Sequence, residues 1–230
     1  MNSTSQNTNC DNEIEVIFED RDILVINKPV GILSEDSEKG EKGIISFLKN
    51  DERKNIHLLH RLDRNVGGVM VFAKNKKSAS VLSTAIANGK FYKKYLAVTE
   101  GIPEEDSGVY KDLLFKDSRK NRSYVVSRMR KGVREASLEY EVLKKCDGKA
   151  LVKILLHTGR THQIRVQFSH RKTSLVGDVH YGSKDKKCNI ALHSCEISFT
   201  HPSSDESVCF KSNPNFKNYP WSVFGGAEDD

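Results

Sequence analysis

The chain has 230 residues, 37% of them hydrophobic and 30% charged, which is typical of a soluble globular protein. No apolar run approaches the roughly 20 residues of a membrane-spanning helix, and the polar start has no secretory signal pattern. The formal net charge of +6 favours an anionic partner, and nucleic acid is the first candidate.

The cysteines and the two ends of the chain indicate one cytoplasmic domain. Five scattered cysteines without a CxxC pair disfavour a disulfide framework or a zinc knuckle and fit a reducing cytosol. Residues 1–13 are polar and residues 225–230 end in acidic side chains, so we expect flexible tails there. A single domain over 14–224 remains, which is long enough to bury a core.

In the first part of the chain, periodic apolar residues predict strands and helices in turn. The predicted elements are two short strands in 15–29, a helix over 43–50, a buried strand over 69–73 and a helix over 76–87. Asn75 can cap the second helix, and Asn88-Gly89 can end it. The apolar stripe of that helix consists of Val81, Leu82, Ala85 and Ile86.

The second part of the chain is richer in strands. The predicted elements are a strand over 92–101, a hairpin of 136–145 with 150–157, a short helix over 161–170, and strands over 190–199 and 207–210. The basic segment 101–135, punctuated by glycine and serine, is predicted to form loops and edge strands. Strands outnumber helices and are joined by short links, which favours a largely antiparallel α+β domain.

Basic residues are concentrated in clusters that apolar or acidic residues interrupt. The clusters lie at 74–77, 90–94, 116–122 and 127–134. Because a disordered basic arm would be continuous, this pattern indicates basic loops and edges on a folded body. Solvated surface lysines are the alternative explanation, and they account for one cluster more easily than for all of them.

Polar residues are concentrated at the ends of apolar strands, where functional sites are usually built. The segments are HRLDR (60–64), FYKKYLAV (91–98) and LLHTGRTHQIRVQFSH (155–170). His157 and His162 are five residues apart in a segment that contains arginines and no acid, so we expect no metal site. The sequence has no GxSxG turn, GxxxxGK[ST] loop or GxGxxG loop, so a serine nucleophile and a nucleotide cofactor lack supporting motifs.

Asp63 is the strongest candidate for a catalytic group, because Arg61 and Arg64 flank it and favour its ionised form. An ionised aspartate can act as a covalent nucleophile or as a base. Tyr95 could stack on a nucleic-acid base or transfer a proton. Each residue also has an ordinary interpretation: a surface ion pair for Asp63, a strand tyrosine for Tyr95 and a surface helix arginine for Arg165.

The segment HRLDRNVGGVMVFAKN resembles HRLDxxTSGLLLFAK, a signature of the RluA-type RNA pseudouridine synthases. Further segments of the chain resemble other motifs of that family in the same order: EDRDILVINKPVGIL, KKYLAVTEG, TGRTHQIRVQ, LVGDVHYG and ALHSCEISFTHP. The resemblance extends over residues 14–211. It implies the pseudouridine synthase catalytic fold, a mostly antiparallel mixed sheet with flanking helices and a central active-site cleft.

The resemblance also implies an activity, the isomerisation of a specific uridine to pseudouridine in structured RNA, either tRNA or rRNA. Asp63 would be the nucleophile, Tyr95 would stack on the target base, and Arg165 would pair with Asp63 and orient it. We expect the substrate to be contacted by Arg61, Arg64, Arg160, His162 and Gln163. The family needs no metal and no organic cofactor, and we expect neither here, no membrane partner and a monomer.

The sequence departs from the family pattern at two places beside the expected site. Val66-Gly67 replaces a Thr-Ser pair, and Gln167 replaces a histidine. These changes leave open a catalytically idle RNA-binding protein on the same fold. A separate alternative is a basic hydrolase that uses Asp63 and a histidine and would release uracil or cleave RNA. The short segment before the first motif leaves no room for an S4-like RNA-binding domain, so we expect the catalytic domain to recognise RNA alone.

Overall fold

The computed structural model describes residues 14–49, 53 and 55–225. The strands of these residues form a single 11-stranded sheet, and short helices and loops pack on it. The α+β class predicted from the sequence is therefore confirmed. The predicted tail over 1–13, and residues 226–230 of the predicted C-terminal tail, lie outside the described residues.

One sheet contains strands from both ends of the described chain. The strands are β1 (Glu15–Glu19), β2 (Ile23–Lys28), β3 (His57–Leu58), β4 (Gly67–Ala73), β5 (Phe91–Glu100), β6 (Ser107–Asp117), β7 (Arg122–Val126), β8 (Val133–Cys146), β9 (Lys149–Leu156), β10 (Leu192–Thr200) and β11 (Ser207–Lys211). Their order is β1-β2-β4-β10-β5-β9-β8-β6-β7, with β3 beside β4 and β11 beside β10. Among these described strands β4 and β10 run parallel and the other pairs are antiparallel, which confirms the predicted mixed sheet.

Short helices accompany the sheet. They are the α-helices α1 (Ile44–Leu48), α2 (Lys76–Ala87) and α3 (Gln163–His170), and the 3-10 helices Val179–Tyr181 and Trp221–Phe224. As predicted, α2 begins after Asn75, whose side-chain oxygen accepts the backbone N–H of Ser78 at 2.9 Å. The apolar stripe of α2 is narrower than predicted, because Leu82 is fully buried whereas Val81 is 42% exposed. Within the described residues, no helix has the length and apolar character needed to cross a membrane.

The segment 101–135 is more regular than predicted. Its first strand, β6, pairs along most of its length with β8, and β7 lies at one edge of the sheet. Lys111 and Lys116 of β6 are exposed, whereas Tyr110 and Leu114 are buried. Basic residues therefore occupy the exposed positions of a half-buried strand, a pattern that a search for apolar runs does not detect.

The glycine pair after the HRLDR segment allows two central strands to approach each other closely. Gly68 has a φ of +114°, a region that favours glycine. A β-carbon built on Gly68 would lie 2.3 Å from the carbonyl oxygen of Ser194, its partner on β10. The glycine is thus needed where β4 and β10 pair, and this pairing places the loop that precedes β4 at the centre of the sheet.

A buried carboxylate joins β2, α2 and the turn after β10. Asp22, only 7% exposed, accepts hydrogen bonds from Ser78 Oγ at 2.7 Å, Asn75 Nδ2 at 2.9 Å and Ser203 Oγ at 2.8 Å. These bonds, that of Ser78 first, hold the pKa of Asp22 far below its ordinary value. The carboxylate therefore stabilises the fold in its ionised form.

We expect Asp22→Ala to lower the free energy of unfolding near neutral pH by about 1 to 3 kcal/mol, because buried donors lose their acceptor. The pKa of Asp22 is lower in the folded chain than the unfolded value of about 3.9, so its stabilisation is present above that pH and is lost as the pH falls below it. Urea titrations of both proteins from about pH 7 to about pH 3 should show the difference shrinking with acidification. A difference that does not change with pH would contradict this role.

Candidate active site

The HRLDR segment forms the loop between β3 and β4, and backbone contacts fix it on both sides of Asp63. Ser34 Oγ accepts the backbone N–H of Leu62 at 3.0 Å and donates to the Leu62 carbonyl at 2.7 Å. After Asp63, the backbone N–H of Val66 donates to the Asp63 carbonyl at 3.0 Å and closes a turn. Leu62 and Val66 are buried, whereas the side chain of Asp63 is 30% exposed. The loop therefore anchors its apolar residues and presents the carboxylate.

A buried lysine holds the second half of this loop. Lys28, at the end of β2, is 1% exposed, and its ammonium donates to the carbonyls of Pro29 at 3.0 Å, Arg64 at 3.3 Å and Val66 at 2.9 Å. Burial lowers the pKa of Lys28 to about 8, and the negative charge of Asp63 opposes this shift. Lys28 was not among the predicted site residues, although the INKP segment that contains it was part of a recognised motif.

Asp63 is paired with an arginine from a distant part of the chain. Arg165 Nη1, on α3, donates to Asp63 Oδ2 at 2.9 Å. The same guanidinium donates through Nε and Nη2 to both oxygens of Asp178, at 2.7 and 2.8 Å. Asp178 is 1% exposed and Arg165 is 6% exposed. Burial disfavours the charged guanidinium, but the two carboxylates more than offset it, and the pKa of Arg165 is raised. Arg165 therefore forms a fixed cationic bridge between a buried carboxylate and a solvent-facing one.

The arginines next to Asp63 in sequence contact other carboxylates. Arg61 pairs with Glu35 and Arg64 pairs with Glu41, and all of these side chains are at least 44% exposed. The expectation that Arg61 and Arg64 supply the charge in contact with Asp63 is therefore wrong. Because Glu35 and Glu41 engage these two arginines, the guanidinium contact comes from Arg165, 102 residues later.

Tyr95 lines the same cleft as Asp63 and Arg165. It lies on β5, between Ser194 of β10 and Ile154 of β9, and is 5% exposed. Burial and the negative charge of Asp63 raise the pKa of Tyr95, so its hydroxyl stays protonated at neutral pH. The side chain can therefore offer a ring face for stacking and a hydroxyl donor.

His162 and Tyr181 form a wall beside this bridge. His162 precedes α3 with a left-handed φ of 53°, and its Nε2 lies 3.8 Å from Asp63 Oδ2. Its Nδ1 is 3.0 Å from the Tyr181 hydroxyl, which accepts the backbone N–H of Ser123 at 2.8 Å. The Tyr181 ring lies 4.9 Å from the guanidinium carbon of Arg165. Burial lowers the pKa of His162, so a neutral imidazole borders the carboxylate.

Gln163 and Arg160 occupy different positions, although both were predicted to contact the substrate. The Gln163 side-chain oxygen accepts from Thr158 Oγ1 at 2.8 Å and from the Arg160 backbone N–H at 3.0 Å, and its amide donates to the Ser137 carbonyl at 3.1 Å. Gln163 is 3% exposed and fixes the loop between β9 and α3, and because it also lines the cleft its contact with substrate stays a prediction. Arg160 is exposed and donates through Nε to the Glu135 carbonyl at 2.9 Å.

Two clefts meet at Asp63. One has a volume of about 760 Å³ and contains Tyr95, Arg160, His162 and Arg165 in its lining. The second, of about 520 Å³, approaches from the side of Lys116, Asn121 and His180 and shares Asp63, His162 and Arg165 with the first. Among the described residues, no group of three or more His, Cys, Asp or Glu side chains could hold a metal ion. The carboxylate is thus reachable by a polymer that passes along the surface.

The two departures from the family pattern, at Gln167 and at Val66-Gly67, lie in different parts of the structure. Gln167 is fully buried, and its amide donates to Asp112 Oδ2 at 2.7 Å and to the Tyr110 carbonyl at 3.3 Å. Gln167 therefore connects α3 to β6 and does not reach Asp63. A β-carbon on Gly67 would lie 3.1 Å from the Lys28 carbonyl, so this position is tightly packed.

Comparison with known proteins agrees with this geometry. The family model described as RNA pseudouridylate synthase matches residues 22–170, a span that includes Asp63, Tyr95 and Arg165. The chain belongs to this family. As a pseudouridylate synthase, it is an isomerase that converts uridine to pseudouridine in RNA.

Relatives and solved structures support the same assignment. The ribosomal large subunit pseudouridine synthase C of Buchnera aphidicola subsp. Schizaphis graminum is 31% identical over 217 residues, which are 89% of this chain and 69% of the relative. The uncharacterized RNA pseudouridine synthase YhcT of Bacillus subtilis is 32% identical over 85% of this chain and 67% of its own. A solved human structure, RNA pseudouridylate synthase domain containing 4, has a TM-score of 0.71 at 23% identity, covering 88% of this chain and 89% of its own. Its likeness confirms the pseudouridine synthase fold.

Sequence reasoning did not include Asp178 or Tyr181 among the site residues of this pseudouridylate synthase. Both lie in the LVGDVHYG motif, so the signal was present, but no local pattern says which distant residue that motif contacts. The contacts become visible only when α3 and the 3-10 helix Val179–Tyr181 pack beside each other.

Proposed function

We propose that this pseudouridylate synthase acts on ribosomal RNA and that Asp63 is its nucleophile. The observation that carries the proposal is the pairing of Asp63 Oδ2 with Arg165, which leaves Oδ1 without a hydrogen bond from the described residues. A carboxylate held through one oxygen presents the other at a defined position in the cleft. The ribosomal substrate is supported by the name of the Buchnera relative, and transfer RNA is the alternative.

The proposed reaction balances as an isomerisation. Asp63 Oδ1 bonds to C1′ of the uridine while the N1–C1′ electron pair leaves with the base as a uracil anion. The base then rotates, C5 bonds to C1′ and displaces the carboxylate, C5 loses its proton and N1 gains one. An elimination route, in which Asp63 removes a sugar proton to give a glycal, requires the same carboxylate at the same place. No step draws on an oxidant, reductant or cofactor.

The surrounding residues support this chemistry. Arg165 orients Asp63, and the fixed bidentate contact with Asp178 keeps the guanidinium in place. The Tyr95 ring offers a stacking face worth about 1 to 3 kcal/mol, which offsets part of the few kcal/mol needed to flip a base out of its stack. Its protonated hydroxyl is the candidate for proton transfer to the base.

We further propose a monomer that binds structured RNA in the cytosol. Half-exposed Arg61 and Arg64 border the second cleft, and Arg160 borders the first, where each can meet a phosphate. The net charge of +6 supports electrostatic binding that weakens as salt rises. The domain boundaries at 14 and 224 remain predictions.

Tritium release from [5-³H]uridine-labelled RNA tests the substrate class. We expect release from unmodified ribosomal RNA and little from unmodified transfer RNA, because formation of the C5–C1′ bond expels the C5 hydrogen. Boiled protein provides the background. Release from transfer RNA alone would overturn the ribosomal assignment, whereas binding without release from either RNA would support the catalytically idle alternative.

A further inference from the structure

A buried lysine in the wall of the cleft is not used by the mechanism above. Lys93 lies on β5 two residues before Tyr95, so the two side chains share one face of the strand. It is 9% exposed and lines the cleft that contains Asp63. A β-carbon built on Gly159 would lie 3.4 Å from Lys93 Nζ, which places the ammonium beside the loop between β9 and α3.

Lys93 differs from the neighbouring lysines in its contacts. Lys94 pairs with Glu196 at 2.7 Å, and Lys28 donates to backbone carbonyls. Lys93 forms no ion pair and no hydrogen bond with the described residues, and burial lowers its pKa. Lys93 Nζ is not one of the described buried atoms that lack a hydrogen-bond partner, so a mostly buried side chain carries its ammonium to the cleft, where a ligand can reach it.

His60 lines the same cleft and adds no positive charge beside Lys93. Its Nε2 accepts the backbone N–H of Val71 at 3.1 Å, so the ring proton of the neutral imidazole is on Nδ1. Nδ1 is buried and has no hydrogen-bond partner among the described residues, so it does not take part in ligand binding. Burial and the positive charge of Lys93 lower the pKa of His60 to about 3, which keeps the ring neutral.

We propose that Lys93 binds one phosphodiester group of the substrate RNA next to the target nucleotide. Asp63 is the only carboxylate among the described residues that line this cleft, and Arg165 already pairs with it. The ligand that pairs with the Lys93 ammonium must therefore be an acceptor carrying negative charge, which a phosphodiester supplies. A uracil carbonyl would accept a hydrogen bond but would leave the buried charge uncompensated.

The proposal rests on the function proposed above, because it requires an RNA in the cleft. Lys93→Met removes the charge and keeps the length of the side chain, and Lys93→Arg restores a charge. Lys153→Met is the matched control. Ile154 of β9 pairs with Tyr95, and Lys153 is the residue before Ile154, so its exposed side chain lies on the opposite face of the sheet. Affinity is measured in an Asp63→Asn background, so that turnover does not change the RNA.

We expect Lys93→Met to weaken RNA binding about tenfold and to reduce the slope of log affinity against log salt by about one ion. Lys93→Arg should recover most of the affinity, and Lys153→Met should retain wild-type affinity within about twofold. Replacing the flanking phosphate by a neutral methylphosphonate should weaken binding to the Lys93 protein and leave binding to Lys93→Met unchanged. An unchanged salt slope, or equal sensitivity of both proteins to the methylphosphonate, would overturn the proposal.

Melting temperature and tritium release distinguish a phosphate site at Lys93 from a structural role of Lys93 and from failure of the proposed function. Lys93→Met should unfold at the same temperature as the wild type or higher, because an unpaired buried charge is replaced by an apolar group. A lower melting temperature would instead indicate a structural role for Lys93. If the proposed function is wrong, the wild type will release no tritium. If only the phosphate site is wrong, the wild type will release tritium and its affinity for RNA will not change in Lys93→Met.

Discussion

Asp63→Asn is expected to abolish turnover while the protein stays folded and continues to bind RNA. Asparagine keeps the size of aspartate, and its side-chain oxygen can still accept from Arg165 Nη1, which donates to Asp63 Oδ2 at 2.9 Å. The neutral amide cannot attack C1′ or remove a sugar proton. We expect the rate to fall by at least about 10³-fold, since loss of a covalent nucleophile removes the chemical step itself.

The measurement is single-turnover tritium release by wild type and Asp63→Asn, with RNA affinity and melting temperature measured on the same samples. Asp205→Asn provides the matched control, because Asp205 is exposed with a φ of +57°, a conformation that asparagine accepts. It should retain the wild-type rate. Wild-type rates in Asp63→Asn would refute the nucleophilic role, and loss of melting transition would show that the variant reports on folding instead.

Breaking the Arg165 bridge is expected to lower both stability and rate. Arg165→Met leaves the carboxylate of Asp178, which is 1% exposed, buried without its cation, and this should cost about 3 to 5 kcal/mol of unfolding free energy. Arg165→Lys keeps the charge but cannot donate to Asp63 and to both oxygens of Asp178 together. We expect its rate to fall about 10²-fold, because Asp63 loses its fixed orientation.

A double-mutant cycle distinguishes positioning from simple loss of packing. Arg165→Met with Asp178→Asn removes both buried charges, and we expect it to recover a large part of the stability lost by Arg165→Met alone. The rate should not recover, because the contact to Asp63 is still missing. Recovery of rate together with stability would mean that Arg165 acts only through the fold, and full activity of Arg165→Lys would contradict an orienting role.

Local patterns in the sequence predicted much of the sheet and the start of α2. The alternation of apolar and polar residues in 136–157 predicted the β8–β9 hairpin, because both this alternation and the residues of the turn can be seen in a short stretch of sequence. The β6 strand was missed, because its exposed lysines interrupt the apolar pattern that marks a strand. The order of strands, and the parallel pair of β4 with β10, depends on contacts between segments more than 100 residues apart, which periodicity does not describe.

The candidate site was only partly predictable for the same reason. Asp63 was a candidate because of its charged neighbours, and the family resemblance gave Asp63 and Arg165 their roles. Their contact, and the contact of Arg165 with Asp178, require the packing of α3 beside the loop before β4. Arg61 was expected to act on Asp63 because the two are near neighbours in sequence, yet its side chain pairs with Glu35. Which way a side chain points in a loop depends on the carboxylates that the fold brings near it.

The most direct test of the account is nucleoside analysis of ribosomal RNA after incubation with wild-type protein. RNA is digested to nucleosides, and uridine, pseudouridine and free uracil are measured by liquid chromatography, with chain length checked on a gel. We expect pseudouridine to increase by the amount of uridine lost, with no free uracil and no shortened RNA, and no change with Asp63→Asn. Free uracil, cleaved RNA or an unchanged uridine content would contradict isomerisation through Asp63.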